Sequence, residues 1–115
     1  MPLRALVLSL AVLILPARAE DAAPNDYPTG ARADYVLGCM AANGQTREAL
    51  ERCSCSIDVI ASILPYERYV QAETILSMRQ TTGQAASLFR NNPHAAEMVA
   101  DLRRAQAEAE VQCFP

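Results

Sequence analysis

A chain of 115 residues with four tyrosines, two phenylalanines and no tryptophan has room for one domain and a modest core, and not for a large aromatic ligand pocket. Its ten basic residues, all arginine, are outnumbered by 13 acidic ones, for a net charge of −3. That balance argues against nucleic acid or an anionic membrane as partner and toward cations or basic proteins.

The chain opens with Arg4, an apolar run from Ala5 to Leu15, the breaker Pro16 and the small-residue site Ala17-Arg18-Ala19. This is the order of a secretory signal cleaved before Glu20. The run is too short for a spanning helix, which needs about 20 residues. Residues 1–19 are therefore read as a signal peptide, and the mature chain as Glu20–Pro115, exported to the periplasm and not held in the membrane. Losing Arg4 and Arg18 leaves eight arginines against 13 acidic residues, a net −5. Residues 20–30 read as a flexible polar leader, because Pro24, Pro28 and Gly30 disfavour a regular element. Residues 31–115 read as the folded domain.

The first helix is expected from about Ala31 to Ala42, with Val36, Leu37 and Met40 as its apolar stripe and Asn43-Gly44 as its stop. Thr46 is placed to cap a second helix, with Glu48 in the first turn. Leu50, Cys53, Ile57, Ile60 and Leu64 then recur every three or four residues as its buried face. The short link between the two makes them an antiparallel hairpin. Pro65 suits the first position of a third helix, with Tyr66, Tyr69, Ala72 and Leu76 on one face. Thr81-Thr82-Gly83 ends it. A short fourth helix covers Gln84 to Arg90. Asn92-Pro93 starts a fifth, whose stripe is Ala95, Met98, Leu102, Ala105 and Ala109. No β pattern or internal repeat is present. The fold class is all-α, a compact bundle of four to five short helices stapled by two disulfides.

Four cysteines, Cys39, Cys53, Cys55 and Cys113, allow three pairings. On a continuous helix Cys53 and Cys55 project about 200° apart, so they neither bond to each other nor easily grip one ion. Cys39 lies on the facing arm of the first hairpin, and Cys53 on the buried stripe. The preferred pairing is Cys39–Cys53 with Cys55–Cys113; Cys39–Cys55 with Cys53–Cys113 is the alternative. A rival reading makes Cys53 and Cys55 a thiol-redox or copper carrier, with Met40, Met78 or Met98 as soft ligands. Against it, the Cys-x-x-Cys spacing of a redox pair is absent, as is the Cys-x-x-Cys-His of haem attachment, and the methionines fall at core-facing positions.

Catalysis has little to stand on: one histidine, and no Ser-His-Asp, His-Glu-x-x-His or phosphate-loop pattern. A non-catalytic binding or accessory role follows. Carboxylates recur at same-face spacing, as Glu51, Ser54 and Asp58 on helix two and as His94, Glu97 and Asp101 on helix five. Each set is part of the shell of about 6–8 oxygens that a Ca²⁺-sized ion takes, and a second element or a metal-linked homodimer would complete it. The plainer reading is a solvated face, with Arg104 set to pair with Asp101 and Glu108. Glu67 and Glu73, near Tyr66 and Tyr69, are further oxygen donors.

The stretch Tyr35-Val-Leu-Gly-Cys39-Met-Ala-Ala-Asn43-Gly44, then Leu50-Glu-Arg-Cys53-Ser-Cys55-Ser-Ile-Asp58-Val-Ile-Ala61, resembles a family of small exported helical proteins. These accompany PQQ-dependent methanol and alcohol dehydrogenases, and include landiscernin-like lanthanide chaperones. The likeness continues through Tyr66, Tyr69, Glu73-Thr74 and Met78-Arg79. It implies a periplasmic lanthanide-binding chaperone serving such a dehydrogenase or its cytochrome. The alternative is an assembly factor for the dehydrogenase with no metal site. Lanthanides are hard cations that seek oxygen, which directs attention to Glu51, Asp58, Glu97 and Asp101 as metal ligands.

Overall fold

A computed structural model describes residues 26–81 and 83–115; the signal segment 1–19 and most of the leader lie outside them. Among the described residues five helices follow one another: α1 (Thr29–Asn43), α2 (Arg47–Ile63), α3 (Tyr66–Arg79), α4 (Gln84–Asn91) and α5 (Pro93–Cys113). Among the described residues there is no strand, so the all-α expectation holds.

Local chemistry sets the helix ends. The Thr46 hydroxyl accepts from the Ala49 N–H at 3.0 Å, satisfying one of the orphan donors of the first turn of α2. The Asn92 side chain accepts from the His94 and Ala95 N–H groups at the start of α5, where Pro93 has no N–H to lose. Gly44 ends α1 with φ +108°, a conformation open to glycine at little cost. Pro65 stands one place earlier than expected. It is the cap residue of α3, with extended ψ, and Tyr66 is the first helical residue.

The packing order explains which stripes are buried. α2 lies between α1 and α5, and α5 in turn packs on α3 and α4. Ile57 and Ile60 of α2, with Leu64 at its C-terminal cap, meet Ala72 of α3 and Leu102, Ala105 and Ala109 of α5. The alanines of α5 let the helices approach closely while the branched residues fill the space between them. A smaller cluster of Ile75, Ala95 and Val99, with Phe89 and Met98, closes the α4 end.

Four expectations are corrected. Tyr27, inside the stretch read as leader, is buried: its hydroxyl donates to the Leu64 carbonyl at 2.7 Å and its ring packs on Tyr66 and Tyr69 at 5.1 and 5.2 Å. The first helix begins at Thr29, because Pro28 precedes the helical residues and its carbonyl accepts from the Arg32 N–H at 3.1 Å. Leu50 is 39% exposed, and Ala49 takes the buried place in that turn of α2. Leu37 stands 66% exposed: α1 packs mainly on α2, and none of its residues is fully buried.

The cysteines pair as preferred, Cys39–Cys53 and Cys55–Cys113, with Cα–Cα distances of 5.8 and 5.7 Å. The first closes the α1–α2 hairpin. The second ties the middle of α2 to the end of α5.

Candidate functional site

With both sulfurs of the Cys53-Ser54-Cys55 segment in disulfides, no free cysteine stands among the described residues, and neither Cys53 nor Cys55 presents a thiolate. Two disulfides fit an oxidising compartment. No helix among the described residues is long and apolar enough to cross a membrane.

The carboxylates singled out from sequence do not converge. Glu51 and Glu97 are exposed on α2 and α5. Asp58 reaches across to α1, where its Oδ1 accepts from Arg32 at 2.5 Å. Asp101 is half-buried between Arg68 of α3, at 3.1 Å, and Arg104 of its own helix. Arg104 thus takes Asp101, while Glu108 accepts from the Gln112 amide at 2.7 Å. Asp58 is drawn toward α1 and Asp101 toward α3, each already facing a guanidinium. Among the described residues, no three His, Cys, Asp or Glu side chains are gathered closely enough to hold one metal ion.

A different set of oxygens does share one space. An open cleft of about 470 Å³ is bounded by α1, α3 and α5, with Ser56 of α2 among its lining residues. Asp34 and Tyr35 line it from α1, Tyr69 and Glu73 from α3, and Gln106 and Glu110 from α5. Helical phase explains the arrangement. Tyr69 and Glu73 are one turn apart, as are Gln106 and Glu110, so each pair presents two oxygen-bearing groups on one face. The Cys39–Cys53 bridge, with Cys39 in the wall, holds α1 against this side of α2.

The electrostatics of the cleft follow from partial burial among like charges. Burial raises the Glu73 carboxyl above its usual range; Arg103 offsets part of this and Asp34 adds to it. The Tyr69 phenol is pushed up to about 12, first by burial and then by Glu73, Tyr35 and Asp34. Burial also raises Tyr35; a hydrogen bond with Ser56 works against the shift, and Glu110 and Glu73 reinforce it. The cleft thus sets one partly desolvated carboxylate, Glu73, and the phenols of Tyr35 and Tyr69 beside the exposed carboxylates of Asp34 and Glu110.

Glu73 was visible in the sequence as an oxygen donor; Asp34 and Glu110 were passed over. The signal that could have found Glu110 is the Gln106/Glu110 pair beside the buried Ala105 and Ala109. For Asp34 it is the adjacent Tyr35, which packs against the core. Comparison with protein-family models, curated proteins and solved structures returns no match.

Proposed function

We propose that this chain is an exported, non-catalytic accessory protein that binds a hard multivalent cation in the cleft between α1, α3 and α5. The observation that carries the reading is that Asp34, Glu73 and Glu110, exposed side chains of three helices, line one open cleft. Partial burial raises the Glu73 carboxyl, which gains from a nearby cation, and the oxygen-only chemistry of the cleft suits a lanthanide or Ca²⁺-sized ion better than a soft metal. The phenols of Tyr35 and Tyr69 and the Gln106 amide add neutral oxygens.

A lanthanide is the cargo, and a periplasmic PQQ-dependent dehydrogenase the client, that the sequence resemblance implies. Calorimetric titration of the oxidised protein with La³⁺ or Nd³⁺ tests the reading. Saturable binding is expected, weakened about tenfold, or ~1.4 kcal/mol, by E73Q or E110Q and unchanged by E51Q or E97Q. Absence of heat at high micromolar protein, or loss confined to the E51Q and E97Q variants, refutes the assignment.

A further inference from the structure

On the opposite flank of α1 from Asp34 and Tyr35, a second groove of about 500 Å³ runs between α1 and α2. Ala33, Val36, Leu37 and Met40 line it from α1, and Leu50 and Ile57 from α2. It is almost wholly apolar, and Leu37 rises from it 66% exposed. The helices that cover the other stripes, α3, α4 and α5, are all engaged elsewhere.

The border of this groove on α2 is charged in a self-complementary order. Arg47, Glu51, Ser54 and Asp58 follow at i, i+4, i+7 and i+11, one face of the helix. Among the described residues Arg47 has no carboxylate partner in its own chain. Asp58 gives one oxygen to Arg32, yet its side chain is 69% exposed. A row that begins with a free cation and ends with an accessible carboxylate matches its own reverse.

We infer that the α1–α2 face is the interface of a symmetric dimer, with a second copy of this chain seated antiparallel on the groove. A two-fold axis midway along the α2 row sets Arg47 of each copy against Asp58 of the other and Glu51 against Ser54. The same operation brings Leu37 of each copy over the other's apolar groove. A two-fold contact is isologous and closes at two copies, so no filament results.

The size of the face sets the strength. A helix pair about 22 Å long and ~20 Å wide offers roughly 450 Å² per copy, against about 800 Å² in a standard interface. The dimer is therefore weak and concentration-dependent.

Sedimentation equilibrium of the oxidised protein at low salt tests this. A monomer–dimer equilibrium is expected in the micromolar to millimolar range, its Kd raised at least about tenfold by L37E and several-fold by R47E. L88E, at an exposed leucine on α4, leaves it unchanged. Circular dichroism melts confirm that the variants fold, as expected for an exposed position. A protein that stays monomeric up to about 1 mM overturns the proposal, as does a dimer indifferent to L37E. A dimer that responds to L37E but not to R47E overturns the antiparallel arrangement.

Discussion

Glu73 stands where burial works against its charge, and that makes it the most informative single residue. Its raised pKa means that the folded chain keeps a proton which the unfolded chain has already released. Between the two pKa values the unfolded state binds fewer protons, so stability falls as pH rises through that window and stays lower above it. Glu73→Gln removes the penalty. The variant is expected to melt higher than the parent near about pH 7 and together with it below ~pH 4, in circular dichroism melts across that range. Tyr27 has the opposite character, a polar atom buried and satisfied. Tyr27→Phe deletes the bond to the Leu64 carbonyl and is expected to cost about 1 kcal/mol in a denaturant titration, whereas Tyr27→Ala empties the site between Tyr66 and Tyr69 and costs ~3–5 kcal/mol. A variant as stable as the parent in both forms would mean that the Tyr27 ring and hydroxyl contribute nothing to the fold.

At the scale of elements, α2 organises the domain. Two residues apart on one helix, Cys53 and Cys55 point to opposite sides, and each neighbour is clipped to its own side. The two clips differ in the length of chain they close, 14 and 58 residues apart in sequence. In the chain-entropy model the shorter restrains the unfolded state by about 3 kcal/mol and the longer by ~4 kcal/mol. Replacing Cys55 and Cys113 together by alanine is therefore expected to destabilise more than replacing Cys39 and Cys53, as measured by urea midpoints. The reverse order would locate the dominant restraint in the α1–α2 hairpin. Much of this element order was legible beforehand. Thr46 and Asn92-Pro93 are capping signals whose effect is local, so they hold whatever the packing. Helical phase excluded a Cys53–Cys55 bond, at about 100° per residue, and the hairpin that places Cys39 opposite the buried stripe favoured Cys53 as its partner.

What stayed hidden belongs to the whole molecule. An apolar stripe says which face of a helix seeks cover, not whether another helix arrives to cover it. Leu37 and Leu50 read as core and stand exposed, because α1 packs mainly on α2 and no further helix covers their outer side. Tyr27 read as leader and is core, because its burial depends on Tyr66 and Tyr69, 39 and 42 positions away, standing beside it. The cleft carboxylates were harder still. Asp34, Glu73 and Glu110 are 39 and 37 positions apart, and only the angles at which three helices meet bring them to one space. Same-face spacing on a single helix favoured Glu51/Asp58 and Glu97/Asp101 instead, and packing placed arginines against one member of each pair.

The Cys55–Cys113 bridge also changes what a break in the backbone means. It encloses all of α3 and α4 and most of α5, including the exposed turn at Gln80 and Thr81. A peptide bond cut in that turn releases no fragment: both pieces stay joined through sulfur, and the α2–α5 core across which they meet is not interrupted. In an oxidising compartment the longer staple thus acts as tolerance to proteolytic nicking at an exposed turn.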